Sequence, residues 1–155
     1  MKLIPLVTIA MLAIPCCALQ GKKAEVFSGK DVASQLSLLA QKAKASGLSG
    51  ATLGDYTTHS IKLSLRTRSG GAEVHAHYDD IFFVTEGRAT LVTGGTVLDG
   101  KTSADGETSG NKIQDGTSQI IVKGDVVHIP AGTPHQLLLD GEVFSAIVIK
   151  VKEAQ

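Results

Sequence analysis

Two separated segments, Gly70 to Asp80 and Gly124 to His135, each set histidine against a strand-forming run and a turn, so a fold that uses them together must bring distant strands side by side. In the first, His75 and His77 stand two apart in a Val/Ala-rich stretch. Residues i and i+2 of a strand project from one face, so both rings can point at one ion, whereas a helix would splay them. Tyr78 and the Asp79-Asp80 pair then form a short polar break before Ile81-Phe82-Phe83-Val84-Thr85, a run of β-formers, and the whole reads as a hairpin. Asp80, at the start of the returning strand, is a candidate fourth, anionic ligand beside the histidines. Ordinary turn chemistry is the other reading of an Asp in that place, and Asp79 is its nearest substitute. In the second segment Asp125 to Ile129 reads as strand, Pro130-Ala131-Gly132-Thr133-Pro134 as a tight turn, and His135 as the opening of the next strand. Three neutral imidazoles plus an oxygen ligand suit first-row divalent ions such as Mn, Fe, Co, Ni, Cu or Zn.

These residues resemble the motifs of the cupin superfamily, small β-barrels with two motifs on adjacent hairpins. The first family motif runs Gly, five residues, His-x-His, three or four residues, a carboxylate, six residues, Gly. His75, His77, Asp80 and Gly87 take those places, with Gly70 or Gly71 near the expected start. Asp80 replaces the usual Glu and follows His77 one position early. The second motif runs Gly, five residues, Pro-x-Gly, two residues, His, three residues, Asn. Gly124, Pro130, Gly132 and His135 match its spacings, and Leu139 stands where Asn is usual. The resemblance covers Asp55 to Val151. It implies a single cupin β-barrel, that is a double-stranded β-helix or jelly roll, and a divalent transition metal (Mn, Fe, Ni, Cu or Zn) on His75, His77, Asp80 and His135. It also implies a small-molecule ligand or substrate and, because such barrels commonly pair through their strands, a homodimer.

The rest of the chain reads as all-β with one helix. Ser28-Gly29-Lys30-Asp31 is a capping-box-like start, Val32, Leu36, Leu39, Ala40 and Ala43 recur at helical spacing, and Gly47 stops the run. This amphipathic helix is expected against the outside of the barrel or across a subunit contact. From Tyr56 to Arg68, Ile61, Leu63 and Leu65 alternate with Lys62, Ser64 and Arg66, the pattern of a half-buried strand. Further strands are expected at Arg88 to Thr93, Gln119 to Val122, Asp125 to Ile129, Gln136 to Leu139 and Val143 to Val151. The barrel domain is therefore placed at 55–151, behind an extension with the helix at 19–54. Residues 94–117, rich in Gly, Ser, Thr and Asp, are expected as a long loop or irregular hairpin within the barrel. Inside them, Gly95 to Thr102 formally matches the phosphate-binding pattern Gly-x4-Gly-Lys-Thr. Ser103-Ala104-Asp105-Gly106 cannot continue it as an amphipathic helix and the parallel βαβ setting is absent, so nucleotide hydrolysis is set aside. Asp99, Asp105, Glu107 and Asp115 lack EF-hand spacing and read as a solvated loop.

A chain of 155 residues suffices for one domain with one core. Its 15 Lys and Arg balance 15 Asp and Glu, and no basic stripe carries interleaved aromatics, so no nucleic-acid partner is expected. Met1-Lys2, the apolar run Leu3 to Ile14, too short to span a bilayer, and Cys16-Cys17-Ala18 as a small-x-small site read as a secretory signal over 1–18. Cleavage after Ala18 removes both cysteines and leaves no disulfide, no thiol nucleophile and no membrane span. The mature chain is expected in the periplasm or outside the cell. The rival reading is a lipoprotein acylated at Cys16 or Cys17.

The functional expectation is an exported metal-dependent enzyme acting on a small oxygen-bearing molecule. Three His and at most one carboxylate leave positions on an octahedral ion open for substrate, water or O2. The resemblance allows dioxygenase, lyase, isomerase or decarboxylase chemistry. Asp80 and His128 are the candidate catalytic residues for proton transfer, since no Cys remains and no Ser-His-acid set is visible. His128 has a second reading, pointing outward from the barrel. Phe82, Phe83 and Val84 read as core and pocket wall, Tyr78 as a cavity edge or exposed turn residue, and His59 as a packed or surface residue. A non-catalytic metal or small-ligand binding module is the alternative, motivated by the missing Glu, and a metal-free interaction scaffold is a third reading.

Overall fold

Helix and strands meet at a single glycine. In the structure, a computed structural model that describes residues 23–154, Ser28 accepts the Asp31 backbone N–H at 3.1 Å and opens α1 (Gly29–Ser46). Gly47, left-handed at φ +82°, closes it by donating its N–H to the Ala43 carbonyl at 2.7 Å. Residues 1–18, expected as a secretory signal, with Cys16 and Cys17, lie outside the described residues. Thirteen strands follow: β1 (Leu48–Asp55), β2 (His59–Arg66), β3 (Ala72–His75), β4 (Tyr78–Glu86), β5 (Arg88–Thr93), β6 (Thr96–Leu98), β7 (Lys101–Thr102), β8 (Glu107–Gly110), β9 (Lys112–Gln114), β10 (Thr117–Val122), β11 (Val126–Ile129), β12 (His135–Leu138) and β13 (Phe144–Lys152).

They form a five-stranded sheet in the order β1-β2-β13-β4-β11, a six-stranded sheet in the order β10-β5-β12-β3-β8-β7, and the β6-β9 pair. The core joins the two large sheets. Phe82 and Val84 of β4, Ile129 of β11 and Phe144, Ala146 and Val148 of β13 pack with Ala89 and Leu91 of β5, Ile121 of β10 and Leu137 of β12. The result is a jelly-roll β-barrel, the expected fold class. Gly87, at φ +76°, makes the tight β4–β5 turn, where a Cβ would stand 2.0 Å from the Val143 carbonyl oxygen.

The helix lies on the outside of the barrel, as one of the two expected placements has it. Leu39 and Ala43 are buried with Leu63 and Leu65 of β2, flanked by Val32, Leu36 and Ala40. The apolar alternation of β2 thus serves the helix, and the opposite face, Ser60, Lys62, Ser64 and Arg66, lines a cavity inside the barrel.

Three details differ from the sequence reading. The sheet takes in Leu48–Asp55 as β1, paired with β2, where Gly50, Thr52 and Gly54 dilute the alternation that would have marked a strand. Residues 94–117 hold four short strands, and β8 pairs with β3 from Ala72–Gly110 to His75–Glu107. Phe83 is 40% exposed and pairs with Val126 on the outer face, because the odd positions of β4 point away from the core that Phe82 and Val84 enter.

Candidate metal centre

The hairpin carrying the first motif turns earlier than an His-x-His pair requires. Strand β3 ends at His75, and Ala76 and His77 form the turn into β4. On β3 the residue two positions from His75 and on its face is Glu73, so the strand delivers a carboxylate and an imidazole to the interior. His77 is exposed, with its ring beside the Gly106 turn. The expectation that His75 and His77 share one strand face is corrected: a side chain in the turn is released from strand alternation.

Asp80 enters from β4 and His135 from the first residue of β12, and both are buried. His135 follows the Pro130–Pro134 turn, in which Thr133 N–H donates to the Pro130 carbonyl and Gly132 N–H donates to the His75 carbonyl at 2.8 Å, tying the turn to the end of β3. Four donor atoms converge. His75 Nε2 lies 3.4 Å from Asp80 Oδ2 and 3.8 Å from Glu73 Oε2, and His135 Nε2 lies 3.9 Å from each of the same two oxygens. Among the described residues, Glu73, His75 and His135 are the group whose ligand atoms all lie within 4.8 Å of one another, and Asp80 joins it through its contacts to the two histidines without belonging to that group.

Each donor is held from behind by another group. His75 Nδ1 is hydrogen-bonded to the Glu107 carboxylate, and His135 Nδ1 donates to the Thr133 carbonyl at 3.1 Å, so both rings present Nε2 to the centre. Lys150 Nζ donates to Asp80 Oδ1 at 2.8 Å, and Arg66 Nη2 stands 3.7 Å from Glu73 Oε1, so each carboxylate turns its second oxygen inward. Outer partners that fix tautomer and orientation are the mark of metal-ligating histidines.

The metal-free cluster holds its two imidazoles differently. Burial pulls the His75 pKa down, but the hydrogen bonds to Asp80 and Glu107 outweigh it and the pKa is raised. Burial pushes Asp80 up, yet His75 and Lys150 hold it below its ordinary value. His135 is lowered by burial, which favours the neutral ring a metal needs.

The residues fit a divalent ion. Ligand bonds of about 2.1 Å would set neighbouring donors about 3.0 Å apart in an octahedral site and about 3.4 Å apart in a tetrahedral one, so the observed spacings of 3.4 to 3.9 Å need contraction of up to about 0.5 Å for the tetrahedral site and up to about 0.9 Å for the octahedral one. Two imidazoles and two carboxylates form a mixed N/O set of the kind first-row ions accept.

Two other candidates stand outside this cluster. His128 pairs across the ladder with Ile81, on the outer face, and its Nε2 lies 3.4 Å from Asp79 Oδ2 with over half its side chain exposed. Asp79 accepts the Ala131 N–H at 2.8 Å and so braces the second-motif turn, while that N–H and His128 lower its pKa. Sequence reasoning gave Glu73, Lys150 and Arg66 no part in the site and read Glu107 as part of a solvated loop. A usable signal existed for Glu73: counting back from Gly87, six residues reach Asp80 and four more reach His75, the family spacing without the one-residue deficit, and this puts Glu73 where the first histidine of His-x-His would stand.

No family model and no curated protein matches the sequence at a significant level. Solved structures do match in shape. The DMSP lyase DddQ from Ruegeria pomeroyi superposes with a TM-score of 0.51 at 16% identity over 70% of this chain and 48% of that one. KdgF from Halomonas sp. gives 0.51 at 14% identity over 70% and 82%, and the cupin domain of Schizosaccharomyces pombe Cnp3 gives 0.51 at 11% identity over 68% and 65%. The chain therefore spans about half the length of the lyase. The likeness is one of fold, and the fold is that of the cupin superfamily.

Proposed function

We propose that the chain is an exported, divalent-metal-dependent cupin enzyme acting on a small oxygen-bearing molecule by dioxygenase, lyase or isomerase chemistry. The observation that carries this reading is the convergence of Glu73, His75, Asp80 and the buried His135, each with an outer partner, beside a cavity of about 730 Å³ whose wall includes the first three. A bound divalent ion supplies Lewis acidity that polarises a substrate oxygen. Glu107 and the Thr133 carbonyl keep the imidazoles in the ligating tautomer, and Lys150 keeps Asp80 ionised, so Asp80 serves as a ligand rather than as an acid. Lys150 Nζ and Tyr78 edge the same cavity, with the ammonium 5.8 Å from the ring centroid, and Lys150 is the group placed to hold a proton beside a bound oxygen. His128 has no part in this reading.

One observation favours the alternative of a non-catalytic binding module: Asp80 Oδ1 is taken by Lys150, which leaves that carboxylate no free oxygen to accept a proton. Protein loaded with Mn, Fe, Ni or Zn and offered small carbonyl, hydroxy and phenolic compounds separates the two. Turnover that vanishes on chelation and in the His75→Ala/His135→Ala variant supports the enzyme, and turnover surviving both overturns it. Metal uptake without conversion of any compound favours the binding module.

Export rests on the charged start, the apolar run and the small-residue site over 1–18, and N-terminal sequencing of the native protein is expected to begin at Leu19. A homodimer is supported by the edge strand β10, which leaves Ile120 and Val122 exposed, and light scattering tests it.

A further inference from the structure

Four cations, Lys62, Arg66, Lys150 and Lys152, and four carboxylates, Asp55, Glu73, Asp80 and Glu107, line the cavity beside the donor cluster. Strand β2 turns Ser60, Lys62, Ser64 and Arg66 into it, while Leu63 and Leu65 pack under α1. The ladder sets Ser60 opposite Lys150, Lys62 opposite Val148 and Arg66 opposite Phe144, so Lys62 and Arg66 stand along one wall, stepping away from the Lys150–Asp80 pair. Lys150 is matched by Asp80. Lys62 has no carboxylate within ion-pair distance among the described residues, and the one ion pair of Arg66, to Glu73, is 3.7 Å long. The Arg66 Nε is buried without a hydrogen-bond partner among the described residues, the one side-chain atom there in that condition. A buried guanidinium N–H left unpaired costs about 1–3 kcal/mol, so Arg66 is held in the cavity wall at a cost that its one long ion pair does not offset.

We propose that Arg66 and Lys62 form an anion subsite, and that the molecule taken by this cavity is a small organic acid whose carboxylate rests on Arg66 and Lys62 while a second oxygen, hydroxyl or carbonyl, reaches the donor cluster. The planar guanidinium fork matches a carboxylate, and Lys62 adds a point charge. Arg66 is separated from His75 only by the Glu73 carboxylate, so the two oxygen functions are joined by a short carbon chain. A divalent ion on Glu73 and Asp80 would offset the two carboxylates and leave Lys62 and Arg66 for the ligand. The second half of this statement rests on the metal reading above, and the first half does not.

The test titrates Zn-loaded protein with short 2-hydroxy and 2-oxo acids and with their neutral amides, following binding by NMR line shifts, with zinc content measured in parallel. The acids are expected to bind about tenfold or more tightly than the amides. Lys62→Gln is expected to lower that preference several-fold with zinc content unchanged, and Arg66→Gln to abolish it at saturating zinc. Equal binding of acid and amide, a preference that survives in both variants, or no acid binding at millimolar concentration overturns the proposal. Should the protein take up no zinc, the metal reading fails alone: an acid preference in metal-free protein that Lys62→Gln weakens keeps the subsite, and its absence removes that too.

Discussion

Glu73 Oε2 lies 3.8 Å from His75 Nε2, two positions along one short strand, and this carboxylate–imidazole pair is what β3 contributes to the centre. A site with two anionic ligands has a different charge from one with three imidazoles. Its carboxylates suit Mn and its imidazoles suit Fe, Ni, Cu and Zn.

Glu107 acts on the centre through the far nitrogen of His75. Glu107→Gln leaves every inner ligand in place but removes the negative charge behind the ring, and metal affinity is expected to fall about 10- to 100-fold. Competition with a fluorescent chelator reads this directly, and an unchanged affinity would mean that the contact does not orient His75.

Lys150→Met leaves Asp80 buried and ionised with its strongest partner gone. Metal-free protein is expected to lose about 3 kcal/mol of stability. Metal-loaded protein is expected to lose much less, because the ion supplies the missing positive charge. Paired denaturant titrations check both, and equal losses in the two forms would contradict the placing of Asp80 in the centre.

Proton release accompanies metal loading. The raised His75 pKa contributes stability to the metal-free protein that is fully present below the unfolded-state value and is lost as pH rises through the folded value. The lowered Asp80 pKa contributes stability present above its unfolded value and lost as pH falls through the folded one. Loading requires a neutral His75, so the rise in Tm produced by metal is expected to grow as pH increases through and above the ordinary imidazole range. Thermal melts across that range, with and without metal, measure it, and a metal effect that shrinks with rising pH would contradict the assignment of His75.

At the β4–β5 turn, Gly87→Ala meets both a left-handed backbone and the Val143 carbonyl, 2.0 Å from the new Cβ. It is expected to cost about 2 kcal/mol or more, with the metal ligands untouched. An equilibrium denaturation curve unchanged from wild type would show that the turn can rearrange.

The parts of this fold that local chemistry specifies were legible in the sequence. Ser28 and Gly47 bound the helix, and Pro130-x-Gly132 forced the turn that delivers His135. The identity of the first-motif ligands was not legible from strand alternation, because alternation gives a face only where the strand continues. Where β3 stops is decided by long-range pairing, His75 opposite Glu107 and Tyr78 opposite Lys152, which places Ala76 and His77 in the turn. The same pairing raises Glu107 from a Gly/Ser/Thr-rich stretch that carries no strand signal of its own. Lys62 and Arg66 were read as the solvent side of a half-buried strand, and the helix reverses that sense by covering the apolar side from outside.

The most direct test of the centre is elemental analysis of native wild-type protein beside Glu73→Ala, His75→Ala and His77→Ala. The donor geometry predicts about one divalent metal per chain in wild type and in His77→Ala, and its loss in Glu73→Ala and His75→Ala. Metal retained in Glu73→Ala but lost in His77→Ala would contradict the site described above.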